Sequence, residues 1–109
     1  AQTIPTILNS AVWNDPTQKS AIVVTFDEDT DNLSLGFGNG GNRVVTVVIP
    51  SPGAVTAGMR SGNFTSTGYA NHYSLLRTIE DSLQLTPLTD NDAYAVPLND
   101  FWGMPPVMP

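Results

Sequence analysis

The sequence predicts an α/β domain, and three observations carry that expectation. Ala21 to Phe26 and Val44 to Ile49 are short apolar runs rich in β-branched residues, without polar alternation. Runs of that length and content read as strands buried on both faces of a parallel sheet. Two further stretches, Ile4 to Trp13 and His72 to Leu83, carry apolar residues at helical spacing. Finally, Asp27, Glu28 and Asp29 stand where the first strand would leave the sheet. Ligands of open α/β sheets bind outside the carboxyl ends of strands, which makes this the favoured place for a metal or phosphate site.

Length and charge narrow the function classes. The chain has 109 residues, the size of one small domain, with nine Gly and nine Pro that imply many turns. Four Lys and Arg stand against ten Asp and Glu, a formal net charge of −6. Such a surface repels phosphate backbones and anionic membranes, and no basic cluster offsets it, so nucleic acid is not an expected partner. Without Cys there are no disulfides and no thiolate-ligated zinc. No apolar run approaches the roughly 20 residues of a membrane span. The sequons Asn32-Leu-Ser34 and Asn63-Phe-Thr65 matter only on a eukaryotic secretory route. The start, Ala1-Gln-Thr-Ile-Pro5, lacks the charged and apolar regions of a signal peptide, and its abruptness leads us to expect a piece of something longer.

Taken in order, Ile4, Ile7, Leu8, Ala11 and Val12 give the first helix an apolar side for packing. Pro5 suits its first turn, and Asn14-Asp15-Pro16 stops it. The first strand follows, then a loop over 30–42 rich in Asp, Asn and Gly. Its Gly36-Phe-Gly-Asn-Gly-Gly41 stretch lacks the following helix that a phosphate-binding glycine motif requires, so a plain connection is expected. The second strand ends at Pro50-Ser-Pro-Gly53, and 54–68 reads as an irregular excursion. Asn71 is a natural N-cap for the helix from His72 to Leu83, with Leu75, Leu76, Ile79 and Leu83 as its buried stripe. Thr86-Pro87 ends that element, 90–100 reads as a polar loop, and a proline-rich tail occupies 103–109. The two strands are expected to lie parallel in one sheet. Because no crossover helix joins them, strands that were immediate neighbours would instead be antiparallel.

The candidate chemistry centres on the acidic cluster. Adjacent carboxylates repel unless a cation or hydrogen-bond donors neutralise them, so Asp27 and Glu28 suggest a hard-cation site as readily as a solvated turn. Asp27, Asp29 and Asp31 have the spacing that opens a calcium loop. There, however, Asn32 replaces the turn glycine and Gly38 the closing glutamate. His72, the sole histidine, falls in the first turn of its helix and off the apolar stripe. Such a residue is as readily structural as functional. Arg43, at the mouth of the second strand, can meet an anionic ligand or pair with the acidic cluster. No G-x-S-x-G elbow accompanies His72, which sets serine-hydrolase chemistry aside.

These segments in their order carry a resemblance. Ser20-Ala-Ile-Val-Val-Thr-Phe-Asp-Glu-Asp29, Arg43-Val-Val-Thr-Val-Val-Ile-Pro-Ser-Pro52, Asn71-His-Tyr-Ser-Leu-Leu-Arg-Thr-Ile-Glu80 and Pro97-Leu-Asn-Asp-Phe-Trp102 resemble the C-terminal portion of the phosphoesterase family. That family includes bacterial phospholipases C and secreted acid phosphatases, within the alkaline-phosphatase-like fold group. The similarity runs from about Ile7 to Trp102 and looks nearest to the short secreted acid phosphatases. The resemblance implies the C-terminal part of a sandwich whose central, mostly parallel sheet is flanked by helices, over residues 1–102. It implies that Asp27 and Glu28 ligate a divalent metal ion, that His72 lies near the active site, and that the substrate is a phosphate ester, with Arg43 the candidate to bind it. A secreted or cell-envelope location is implied with it. The family's N-terminal strand with Glu-Asn metal ligands, and its Ser or Thr nucleophile, have no counterpart here. On this reading the chain alone is inactive and needs the N-terminal part as its partner. The His that phospholipases often carry after Asp-Glu is also missing, with Asn39, Asn42 and Arg43 in that loop. A calcium-stabilised secreted structural or binding module, without catalysis, is the alternative.

Overall fold

A computed structural model describes residues 2–28 and 43–103. The loop with Asp29, Asp31, Asn39 and Asn42, and the tail from 104 onward, lie outside the described residues. The chain divides into two compact units, 1–57 and 58–109.

In the first unit, helices α1 (Thr3–Leu8) and α2 (Ala11–Asn14) precede strands β1 (Ala21–Thr25) and β2 (Thr46–Pro50) and helix α3 (Pro52–Thr56). The single helix expected over 4–13 is broken at Asn9–Ser10. Ser10 takes an extended conformation, and its hydroxyl accepts the Trp13 N–H at 3.2 Å, so it starts a new helix instead of continuing the old one. The packing side expected of that helix is not buried: α1 has no buried residue, and Trp13 alone is buried in α2. The predicted stop holds. Asp15 Oδ1 accepts the backbone N–H and the hydroxyl of Thr17 at 2.9 and 2.7 Å, a local turn that closes the segment.

Both strands form where the β-branched runs predicted them, but their pairing corrects the parallel reading. β1 and β2 are antiparallel neighbours, with Ala21 opposite Pro50 and Thr25 opposite Thr46. The physical reason lies in the sequence of the connection, which is rich in Gly, Asn and Asp and carries no helical apolar pattern from which a crossover to a parallel neighbour could be built. Nor are the strands buried on both faces. Val23, Val24 and Val47 are 39%, 37% and 47% exposed, and the sheet has two strands among the described residues.

The end of the hairpin is closed by Ser51. This fully buried side chain caps α3 by accepting the Ala54 N–H, and it also accepts the Ser20 N–H at 3.0 Å. Its own N–H donates to the Ser20 carbonyl at 2.8 Å. Gly53 is required beside it, because a Cβ there would lie 2.1 Å from the Gln18 carbonyl oxygen. The excursion expected from residue 54 therefore begins as helix α3, with Ser at the cap and Pro in the first turn.

The second unit holds helix α4 (His72–Leu83), the single-turn α5 (Asp90–Ala93) and a 3₁₀ turn at Asn99–Trp102. Helix α4 has the predicted bounds and cap. The Asn71 side chain accepts the Ser74 N–H while the Ser74 hydroxyl accepts the Asn71 N–H, each at 3.1 Å. Its buried side differs from the expectation. Ser74, Thr78 and Glu80 are the buried residues, whereas Ile79 and Leu83 are 45% and 63% exposed. Polar return contacts claim that side: the Leu98 N–H donates to Thr78 Oγ1 at 2.8 Å, and Arg77 donates to the Ala93 carbonyl. The polar loop expected over 90–100 contains α5, opened by a reciprocal cap between Thr89 and Asp92. Phe64 and Phe101 meet edge to face at 5.4 Å, Arg60 lies over the Phe64 ring, and the Arg60 N–H donates to the Phe101 carbonyl at 2.7 Å. No described helix is long and apolar enough to cross a membrane.

Candidate functional site

The site builds from the hairpin register. Strand β1 runs toward Thr25, so the residues that follow leave the sheet at its carboxyl end, as the sequence predicts for Asp27 and Glu28. Both are exposed. The Glu28 N–H donates to Asp27 Oδ1 at 2.9 Å, which fixes the Asp27 carboxylate against the turn. Antiparallel pairing brings the start of β2 to the same end of the hairpin. The pairing ends at Thr25 and Thr46, and Arg43 precedes Thr46 by three residues, so it belongs to that end of the hairpin. That residue is exposed as well.

Three of the four predicted site residues thus belong to one end of one hairpin. Adjacent carboxylates there offer hard oxygen donors, and a guanidinium presents a planar fork of N–H groups suited to a phosphate. His72 belongs to the second unit, where it is the first residue of α4 and exposed. Among the described residues no group of three or more His, Cys, Asp or Glu is assembled to hold a metal. Asp29 and Asp31, on which the calcium reading depends, lie outside the described residues.

The second unit also contains a pair that sequence reasoning passed over. Glu80, 2% exposed, and Asp92, fully buried, converge on one donor. The Leu88 N–H lies 3.0 Å from Glu80 Oε2 and 2.8 Å from Asp92 Oδ2. Asp92 also accepts from the Thr89 N–H at 2.8 Å and from the Thr89 hydroxyl. That hydroxyl is the main cause holding Asp92 at a pKa of about 2. Burial pushes Glu80 the other way, above the ordinary glutamate value, with the neighbouring Asp92 adding to the rise. The Thr-x-x-Asp spacing of 89–92 was the available signal for the cap, though not for the pair.

A groove of about 430 Å³ adjoins the start of α4, between 66–71 and 94–98. Tyr69 and Tyr94 in its lining are 81% and 87% exposed. Comparisons with protein-family models, curated proteins and solved structures find no match to this chain.

Proposed function

We propose that this chain is the C-terminal part of a metal-dependent phosphoric ester hydrolase, of the secreted acid phosphatase or phospholipase C type. Asp27 and Glu28 supply oxygen ligands to its divalent metal. The observation that supports this most is the exposed carboxylate pair at the carboxyl end of β1, on the same end of the hairpin as Arg43. Two carboxylates suit a hard cation but fill only part of its shell of about six oxygens. The reading assigns the remaining ligands, and the hydroxyl nucleophile, to the N-terminal part of the protein. A thin core agrees with such a division. The buried apolar side chains among the described residues are Trp13, Ala54 and Met59, few for a self-sufficient domain of this length.

A divalent cation bound there lowers the pKa of a hydroxyl nucleophile and neutralises phosphoryl charge. The chain's own residues do the rest of their share. The Glu28 N–H holds Asp27 Oδ1 against the turn. Arg43 offers paired donors to the anionic ester, offsetting the −6 net charge that otherwise repels it. His72 belongs to the second unit, and its role as donor to a phosphoryl oxygen or to the leaving group rests on the resemblance alone. A secreted or cell-envelope location belongs to the same reading.

Hydrolysis of a chromogenic phosphate ester by the complete protein, with metal present and then chelated, tests the proposal. Metal-dependent turnover by the complete protein and none by the 109-residue chain is expected, because this reading places the hydroxyl nucleophile in the N-terminal part. Cation binding without turnover in the complete protein would point instead to the calcium-stabilised module.

A further inference from the structure

We propose that the buried carboxyl groups of Glu80 and Asp92 form a proton-operated clasp: one proton shared between them holds α5 against α4, and its loss releases α5. The geometry requires a proton. Both side chains are almost fully removed from solvent, and they converge on the same Leu88 N–H, at 3.0 Å from Glu80 and 2.8 Å from Asp92. Asp92 has the two Thr89 donors besides, whereas Glu80 has this shared N–H alone, which cannot compensate a second buried negative charge. With Glu80 protonated, its O–H donates to Asp92, and the remaining charge rests on Asp92. There the Leu88 and Thr89 backbone N–H groups and the Thr89 hydroxyl receive it. Glu80 Oε1 is the one buried side-chain polar atom without a hydrogen-bond partner among the described residues. It would carry that cost most heavily as part of a carboxylate.

The other titratable or charged groups on the elements packed here do not replace the proton. Helix α4 carries His72, Tyr73, Arg77 and Asp81; Asp90 and Tyr94 flank Asp92 on α5; Asp100 follows on the return. Arg77 is the cation whose field favours ionised Glu80, but this acts less strongly than burial and Asp92 act against it. Its Nε is engaged by Asp81 at 2.8 Å, and a second nitrogen donates to the Ala93 carbonyl. Asp100 accepts from the Ser66 hydroxyl, and Tyr73 receives the Asn91 amide at 3.3 Å.

The clasp has a direction. Glu80 binds its proton more tightly in the closed state, so its contribution is complete below the ordinary value of 4.5 and is lost as pH rises through the raised folded value. Asp92 acts in the opposite sense: its contribution is complete above 3.8 and is lost as pH falls toward about 2. Closure is therefore strongest under mildly acidic conditions. The residues after α5, Tyr94 to Leu98, form one wall of the groove beside α4, so release of α5 frees that wall too.

Carboxyl-detected NMR titration of the complete protein, labelled at Glu and Asp, with amide exchange of Leu88 followed across the same range, tests the clasp. Glu80 is expected to titrate above an ordinary glutamate and Asp92 well below an ordinary aspartate. The Leu88 protection factor should fall through the Glu80 midpoint, by roughly tenfold for each unit of elevation. In Glu80→Gln, whose amide donates to Asp92 at every pH, that fall should vanish and neutral-pH protection should be retained. An ordinary Glu80 titration, a Leu88 protection factor that is flat across it, or the same fall in Glu80→Gln would each overturn the proposal.

Discussion

The two units close by different physics. The first unit closes on shape. Ser51 and Gly53 bring the end of β2 against Ser20 and Gln18 so tightly that a Cβ at 53 would overlap a backbone oxygen. The second unit closes on polar side chains, through the Asn71–Ser74 cap, the Thr78–Leu98 bond and the Glu80–Asp92 pair. Neither buries much apolar surface, and each leaves β-branched or leucine side chains in solvent. A steric closure is indifferent to pH, whereas a carboxyl closure cannot be. The contrast predicts that mutations at Ser51 and Gly53 change stability equally at pH 5 and pH 7.5, and that those around Glu80 do not.

The largest effect belongs to Gly53→Ala. Its Cβ would meet a backbone oxygen at 2.1 Å, which no side-chain rotation relieves. A loss of about 3 kcal/mol is expected, equal at pH 5 and pH 7.5, by chemical denaturation. Ser51→Ala should cost about 1–2 kcal/mol, since it removes the α3 cap and leaves the Ser20 N–H without its acceptor. A pH-dependent loss in either variant would break the contrast. In the second unit, Gln84→Gly should be stabilising. Gln84 ends α4 at φ 57°, in the left-handed region, with the Leu85 N–H on the Glu80 carbonyl at 2.8 Å. Glycine removes the Cβ penalty there, a gain of about 0.5 kcal/mol after its extra freedom in the unfolded chain is offset. A thermal melt of that variant, if it showed destabilisation, would mean that the Gln84 side chain does more than end the helix.

What could be read from the residues divides along the same line. The β-branched runs gave both strands, and Asn71 with the apolar spacing gave α4 to the residue, because those signals are local. Pairing direction was not local. It turned on whether the sequence of the connection could supply a crossover helix, and the parallel expectation gave that too little weight. The break at Ser10 and the short helices at 52–56 and 90–93 were signalled by Ser-x-x-Trp, Ser-Pro and Thr-x-x-Asp caps, which compete with an apolar period that runs across them. The buried face of α4 was illegible. Leu75, Leu76, Ile79 and Leu83 stand at helical spacing but are not the buried side: Ile79 and Leu83 are exposed, and Ser74, Thr78 and Glu80 are buried because residues 88–98 return over them with polar contacts. For the site, the strand-end position of Asp27 and Glu28 followed from the first apolar run alone. That Arg43 shares that end of the hairpin needed the antiparallel pairing.

The central claim is that Asp27 and Glu28 are the metal ligands this chain contributes to a phosphoesterase. The most direct test measures metal binding and phosphate-ester turnover in the complete protein for Asp27→Asn, Glu28→Gln, Asp29→Asn and Asp31→Asn, with folding followed by circular dichroism. The account predicts a loss of at least about tenfold to a hundredfold in both quantities for the first two variants, with the fold retained. It predicts much smaller effects for Asp29→Asn and Asp31→Asn. Loss of binding in Asp27→Asn, Asp29→Asn and Asp31→Asn but not in Glu28→Gln would favour the calcium loop, and wild-type turnover by Asp27→Asn would contradict the phosphoesterase reading of this site.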